Sequence, residues 1–114
     1  MDAPVVNVWP PKVGGSLKCL APMVRANSTP LRIMALEYGA DVAYSEELIA
    51  RRVEVTERRD NAALGTVDWL DEGGKTVCLR VDPARERGRL VVQLGASDGA
   101  CAARAAATVA DVAA

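Results

Sequence analysis

Between Leu17 and Ser45 the chain sets two short apolar runs on either side of a stretch with helical period, and that order restricts its fold more than any other feature. The first run, Leu17 to Met23, is mostly apolar and broken at Pro22, which suits a short buried strand. Ser28 or Thr29 can cap a helix after it, with Pro30 in the first turn, where a missing N–H costs nothing. Leu31, Met34, Ala35 and Tyr38 recur at helical spacing and predict one buried face, and Gly39 supplies a left-handed stop. Ala40 to Ser45 is the second apolar run, with Glu46 and Glu47 expected at its carboxyl end. Strand, helix and strand in this order predict a parallel pair joined by a right-handed crossover. In such folds the carboxyl ends of the strands, and the loops after them, are where ligands sit.

The remainder continues the alternation with an insertion. Glu46 to Gly65 is charged and predicts a short helix or a loop outside the sheet. Its Arg51-Arg52 and Arg58-Arg59 pairs are interleaved with Glu54, Glu57 and Asp60, the pattern of a solvated face rather than of a phosphate site; Arg85, Arg87 and Arg89, with Glu86 among them, read the same way. Thr66–Leu70 and Thr76–Val81 flank Gly73-Gly74 and predict a β-hairpin. Arg89 to Leu94 is the cleanest strand signal, and the alanine-dense Ala100 to Ala113 predicts a helix. Met1 to Ser16, with Pro4, Pro10, Pro11, Gly14 and Gly15, is expected to be an extended lead-in. Residues 17–114 then form one α/β unit.

Charge and cysteine content exclude several chemistries. With 14 basic and 15 acidic residues the chain is not a general polyanion binder. It has no histidine, and Cys19, Cys78 and Cys101 are widely spaced, so neither a zinc site nor a Cys-His dyad has material to be built from; all three thiols are expected to be buried or half-buried. No long uncharged apolar stretch or leader pattern occurs, which predicts a soluble, intracellular chain with no membrane contact.

Three segments in order, "LAPMVRANSTPLRIMALEYGADVAYSEELI", "TVDWL" and "LVVQLGASDGACAARAAATVADVAA", resemble the opening part of the tRNA-dihydrouridine synthases, most closely the eukaryotic kind that acts on the D-loop. The resemblance covers residues 17–114. It implies an α/β fold that is the N-terminal portion of a TIM (β/α)8 barrel, about three strands with an inserted β-hairpin. It also implies FMN as cofactor, NADPH as reductant, tRNA as substrate and a cytoplasmic location. By the same resemblance Pro22, Met23 and Val24 line the flavin ring, and Gln93 hydrogen-bonds the flavin's pyrimidine edge. These residue types suit a flavin, because proline and a thioether pack on a flat apolar ring while an amide carries both a donor and an acceptor.

The resemblance places the family's catalytic cysteine in an N-x-G-C-P loop after a fourth strand. None of Cys19, Cys78 and Cys101 matches it, so this chain is expected to hold no catalytic residue and to be inactive alone, with open strand edges. Two other readings remain beside it. One is a catalytically dead, truncated remnant acting through protein interaction; the other is a different FMN barrel, such as a dihydroorotate-dehydrogenase-like oxidoreductase, against which "SEELI" and "QLGASD" speak. Taken without the resemblance, Met23 reads as core and Gln93 as a polar strand end.

Overall fold

A computed structural model describes residues 16–113. In chain order it contains β1 (Cys19–Leu20), α1 (Thr29–Glu37), β2 (Val42–Ile49), α2 (Ala50–Val53), β3 (Glu57–Asn61), β4 (Thr66–Asp71), β5 (Thr76–Val81), α3 (Pro83–Glu86), β6 (Leu90–Gly95) and α4 (Gly99–Thr108). Single 3-10 turns follow β4 and α4. The strands form two sheets: a parallel one in the order β1-β2-β6 and an antiparallel one in the order β3-β4-β5. The architecture is therefore mixed α/β, with three parallel strands as expected and the antiparallel unit inserted between the second and third of them.

Several boundaries differ from the sequence reading, each for a physical reason. The expected first strand, 17–23, is reduced to Cys19–Leu20, the two residues in register with Val42 and Ala43. The second strand runs on to Ile49, so Glu46 and Glu47 lie within β2 rather than beyond it. The charged segment supplies α2 and then β3, which extends the predicted hairpin to three strands. α4 gives way to a 3-10 turn at Ala110–Ala113 instead of continuing as one helix. The proposed lead-in lies outside the described residues except for Ser16.

The buried side of α1 is also turned from the expected one. Met34 is 53% and Tyr38 87% exposed, whereas Thr29, Arg32 and Leu36 are buried. A helix can bury an arginine only where its charge is matched, and Glu86 at the end of α3 does so. Ser28 stands at the N-cap position without a side-chain cap bond, and Gly39, at φ 113°, provides the predicted left-handed exit.

One apolar core joins the two sheets. Trp69 and Val67 of β4, Leu79 and Val81 of β5, Leu48 of β2 and Leu90 of β6 pack with Ala50, Val53, Cys101, Ala105 and Val109 from the helical segments. Trp69 is fully buried and donates its indole N–H to the Thr108 carbonyl at 3.0 Å, so its one polar atom is satisfied at the end of α4. α4 is entered through Asp98, whose carboxylate accepts the Cys101 N–H at 2.8 Å.

Candidate functional site

The carboxyl end of the parallel sheet is shaped by an irregularity in β2. Tyr44 stands opposite Val91 and Glu47 opposite Gln93, so the two residues Ser45 and Glu46 face the single Val92. This is a β-bulge, the local device by which strands re-aim side chains beside functional sites. The Ser45 hydroxyl occupies the gap: it accepts the Gln93 backbone N–H at 3.0 Å and donates to the Glu46 carbonyl at 2.7 Å. Glu46 in turn accepts the Arg25 N–H at 3.1 Å through its side chain.

Arg25 belongs to the turn after β1 that carries Pro22, Met23 and Val24. The turn is closed by the Ala26 and Asn27 N–H groups, both donating to the Met23 carbonyl at 3.2 Å, and Arg25 adopts φ 68° within it. Asn27 anchors it from below: its side-chain amide donates to the Ala21 carbonyl at 2.7 Å and the Tyr44 carbonyl at 2.9 Å, bridging the end of β1 to β2. Met23 is 43% and Val24 65% exposed, and Pro22 is exposed too, so the reading of Met23 as a core residue is set aside. Gln93 is half-buried, and its side-chain amide has no hydrogen-bond partner among the described residues. The structure thus ties the 22–24 turn and Gln93 to the same bulge from opposite sides.

Beside this cluster lies a 590 Å³ cleft between the start of α1, the end of β2 and the free edge of β5. Asn27, Ser45 and Glu46 line it, but Met23 and Gln93 do not. Its wall contains Arg32, one member of a buried ion pair that composition did not reveal. Arg32, 2% exposed, donates from Nε to Glu86 Oε1 at 2.7 Å and from Nη2 to Oε2 at 3.1 Å. The same guanidinium reaches the Asn27 carbonyl at 2.8 Å and the Arg80 carbonyl at 2.7 Å, and Glu86 also accepts the Asp82 N–H at 2.9 Å. The pair joins the turn after β1 to the antiparallel sheet. A second cavity, 400 Å³, opens where β2 and β6 end, lined by Glu47, Arg51, Gly95, Ser97 and Cys101 among others.

Other charged groups are committed to structure. Asp68 accepts from Arg80 Nε and Nη2, both at 2.9 Å, and from Asn61 and Thr66; the Arg80 guanidinium above all holds its carboxyl down at about 2. Arg58 pairs with Asp111 and Asp60, and Arg59 with Glu57, all exposed as expected of a solvated face, whereas Arg52 pairs with the buried Asp71. The thiols are less uniform than expected: Cys101 is buried and Cys78 half-buried, but Cys19 is exposed. Cys101 donates to Glu54 at 2.9 Å, and this bond, with burial, pushes its thiol pKa up; burial does the same for Cys78. Neither is an activated nucleophile. Among the described residues no group of acidic, histidine or cysteine side chains could hold a metal ion, and no helix is long and apolar enough to cross a membrane.

Ser45, Asn27 and the Arg32–Glu86 pair were missed by sequence reasoning. Their partners lie up to 54 residues away, and no local pattern announces them.

No family profile matches the chain. Curated proteins do, among them two enzymes of one name. It is 39% identical over 92 residues to the tRNA-dihydrouridine(20) synthase (NAD(P)+) of Saccharomyces cerevisiae, covering 76% of this chain and 24% of that protein. To the enzyme of the same name from Schizosaccharomyces pombe it is 35% identical over 96 residues, covering 82% of this chain and 20% of the relative. The chain therefore spans about a quarter or less of the length of these relatives.

Proposed function

We propose that this chain, a homologue of the tRNA-dihydrouridine synthases over most of its length, is the opening portion of an FMN-dependent synthase that reduces uridine in the tRNA D-loop with NADPH. In that reading residues 17–114 form the first three strands of a barrel, with β3-β4-β5 as an insertion after the second. The observation that carries it is the attachment of the 22–24 turn and of Gln93 to one bulge at the carboxyl end of the parallel strands. Ligand sites of α/β folds lie at that end.

The residues present fit a flavin. Pro22, Met23 and Val24 leave apolar surface uncovered by the protein, and the Gln93 amide is uncommitted. A flat ring with one polar edge needs this combination of an apolar floor and a group that both donates and accepts. FMN, when bound, supplies the hydride chemistry, with NADPH as its reductant. The chain's own part is to bind and orient: Met23 and Pro22 support the ring, Gln93 fixes its edge, and Asn27 and Glu46 hold the turn at a set height over β2. No residue here is assigned the proton transfer to uracil. Cys101 is engaged with Glu54, and neither it nor Cys19 nor Cys78 matches the cysteine of the family's N-x-G-C-P loop, so none is given that role.

The test is dihydrouridine formation in unmodified tRNA with FMN and NADPH. The full-length protein encoded by the reading frame that contains this chain is expected to form dihydrouridine, and the chain of 114 residues alone is expected not to. A full-length protein that binds FMN yet leaves uridine unreduced would overturn the assigned reaction.

A further inference from the structure

We propose that Ser45 is a positioning residue for the flavin site: its hydroxyl, set in the β2 bulge, fixes Gln93 on one side and the Met23 turn on the other. The inference rests on the flavin reading given above. In a regular parallel ladder the Gln93 N–H would find a β2 carbonyl. At the bulge it finds the Ser45 hydroxyl instead, at 3.0 Å. The hydroxyl has one proton to give, and gives it to the Glu46 carbonyl at 2.7 Å. That bond sets the peptide from which the Glu46 side chain reaches the Arg25 N–H, two residues beyond Met23. Ser45 is 1% exposed, so water does not compete for either bond. One buried hydroxyl thereby sets the distance between the two groups that would grip a flavin from different strands.

Such a role differs from general stability because most of it acts through Gln93, and the smaller remainder through the Met23 turn. Ser45→Ala leaves the Gln93 N–H without its acceptor and frees the strand end to shift. The experiment is a double-mutant cycle on FMN affinity, followed by flavin fluorescence quenching, in the full-length protein carrying Ser45→Ala, Gln93→Leu and both. Ser45→Ala is expected to weaken FMN binding about tenfold and Gln93→Leu by about ten- to a hundredfold, with the double variant within about threefold of Gln93→Leu alone. Losses that multiply independently would overturn the positioning role while leaving the flavin site intact. If Gln93→Leu binds FMN as wild type does, the flavin reading itself fails, and the role of Ser45 with it. Ser45→Cys, close in volume but a weak acceptor, carries the same expectation and keeps the test decisive where the alanine variant does not fold.

Discussion

Replacing Arg32 with methionine removes a charge that is 2% exposed and leaves Glu86, 0% exposed, with the Asp82 N–H as its remaining donor. An unpaired buried carboxylate of this kind costs about 3–5 kcal/mol, a large share of the roughly 5–15 kcal/mol that holds a domain together. Glu86→Met strands the guanidinium in the same way and carries a similar cost. The double variant removes both charges. What it leaves behind is mainly the Asn27 carbonyl and the Asp82 N–H without partners, since the Arg80 carbonyl still accepts from Thr29 at 2.6 Å. At about 1–3 kcal/mol for each unsatisfied group, the double should lose about 2–6 kcal/mol, below the roughly 6–10 kcal/mol sum of the singles. Urea unfolding followed by circular dichroism gives the three values. Strict additivity would refute the reasoning, because it would mean that neither charge depends on the other. Arg32→Lys sharpens the comparison: an ammonium cannot reach the carboxylate and two carbonyls at once, so it is expected to fall between wild type and Arg32→Met.

Asp68 predicts a pH dependence with a definite sign. Its pKa is lowered to about 2, so its contribution, about 2 kcal/mol, is complete above the unfolded value and is lost as pH falls from about 5 towards 2. Asp68→Asn should therefore flatten the decline of the urea midpoint over that acid range; an unchanged slope would count against the Arg80 pairing as its source. Asp98→Ala removes the cap on α4 and should cost about 0.5–2 kcal/mol, read as a lower thermal midpoint, and no change would mean that the cap bond is replaced by water. A maleimide at neutral pH should label the exposed Cys19 first and Cys101 last, because Cys101 is buried and its hydrogen bond to Glu54 keeps it protonated; preferential labelling of Cys101 would contradict that bond.

The elements legible in the sequence were those stabilised by their own residues. Leu90 to Leu94 is a continuous β-prone run, the strands around Gly73-Gly74 carry their turn with them, and the alanine-dense stretch needs little help to be helical. β3 was illegible because "ERRDN" has no apolar alternation. It is held by cross-strand partners instead, Arg59 opposite Asp68 and Arg58 opposite Trp69, with the Arg58 guanidinium 5.7 Å from the Trp69 ring centroid. A charged outer strand is also a common guard against edge pairing. The buried face of α1 was misjudged for a related reason: Arg32 looks like a solvent residue until Glu86, far along the chain, neutralises it. At the site, Pro22, Met23, Val24 and Gln93 came from motif resemblance. Ser45 did not, since a serine in a strand acquires its role only from a bulge that pairing creates.

The flavin contents of the full-length protein, of Gln93→Leu and of Met23→Leu, measured by fluorescence after release, test the central claim most directly. Gln93→Leu roughly keeps volume but sets hydrocarbon against a polar edge, a loss of about 1–3 kcal/mol and so about one to two orders of magnitude in affinity. Met23→Leu keeps apolar character and similar size, and exchanges of that kind cost under about 1.5 kcal/mol. The account predicts FMN in the wild-type protein, near-wild-type content in Met23→Leu and marked depletion in Gln93→Leu. A wild-type protein that takes up no FMN, or a Gln93→Leu variant that retains it as fully as wild type does, would contradict the account.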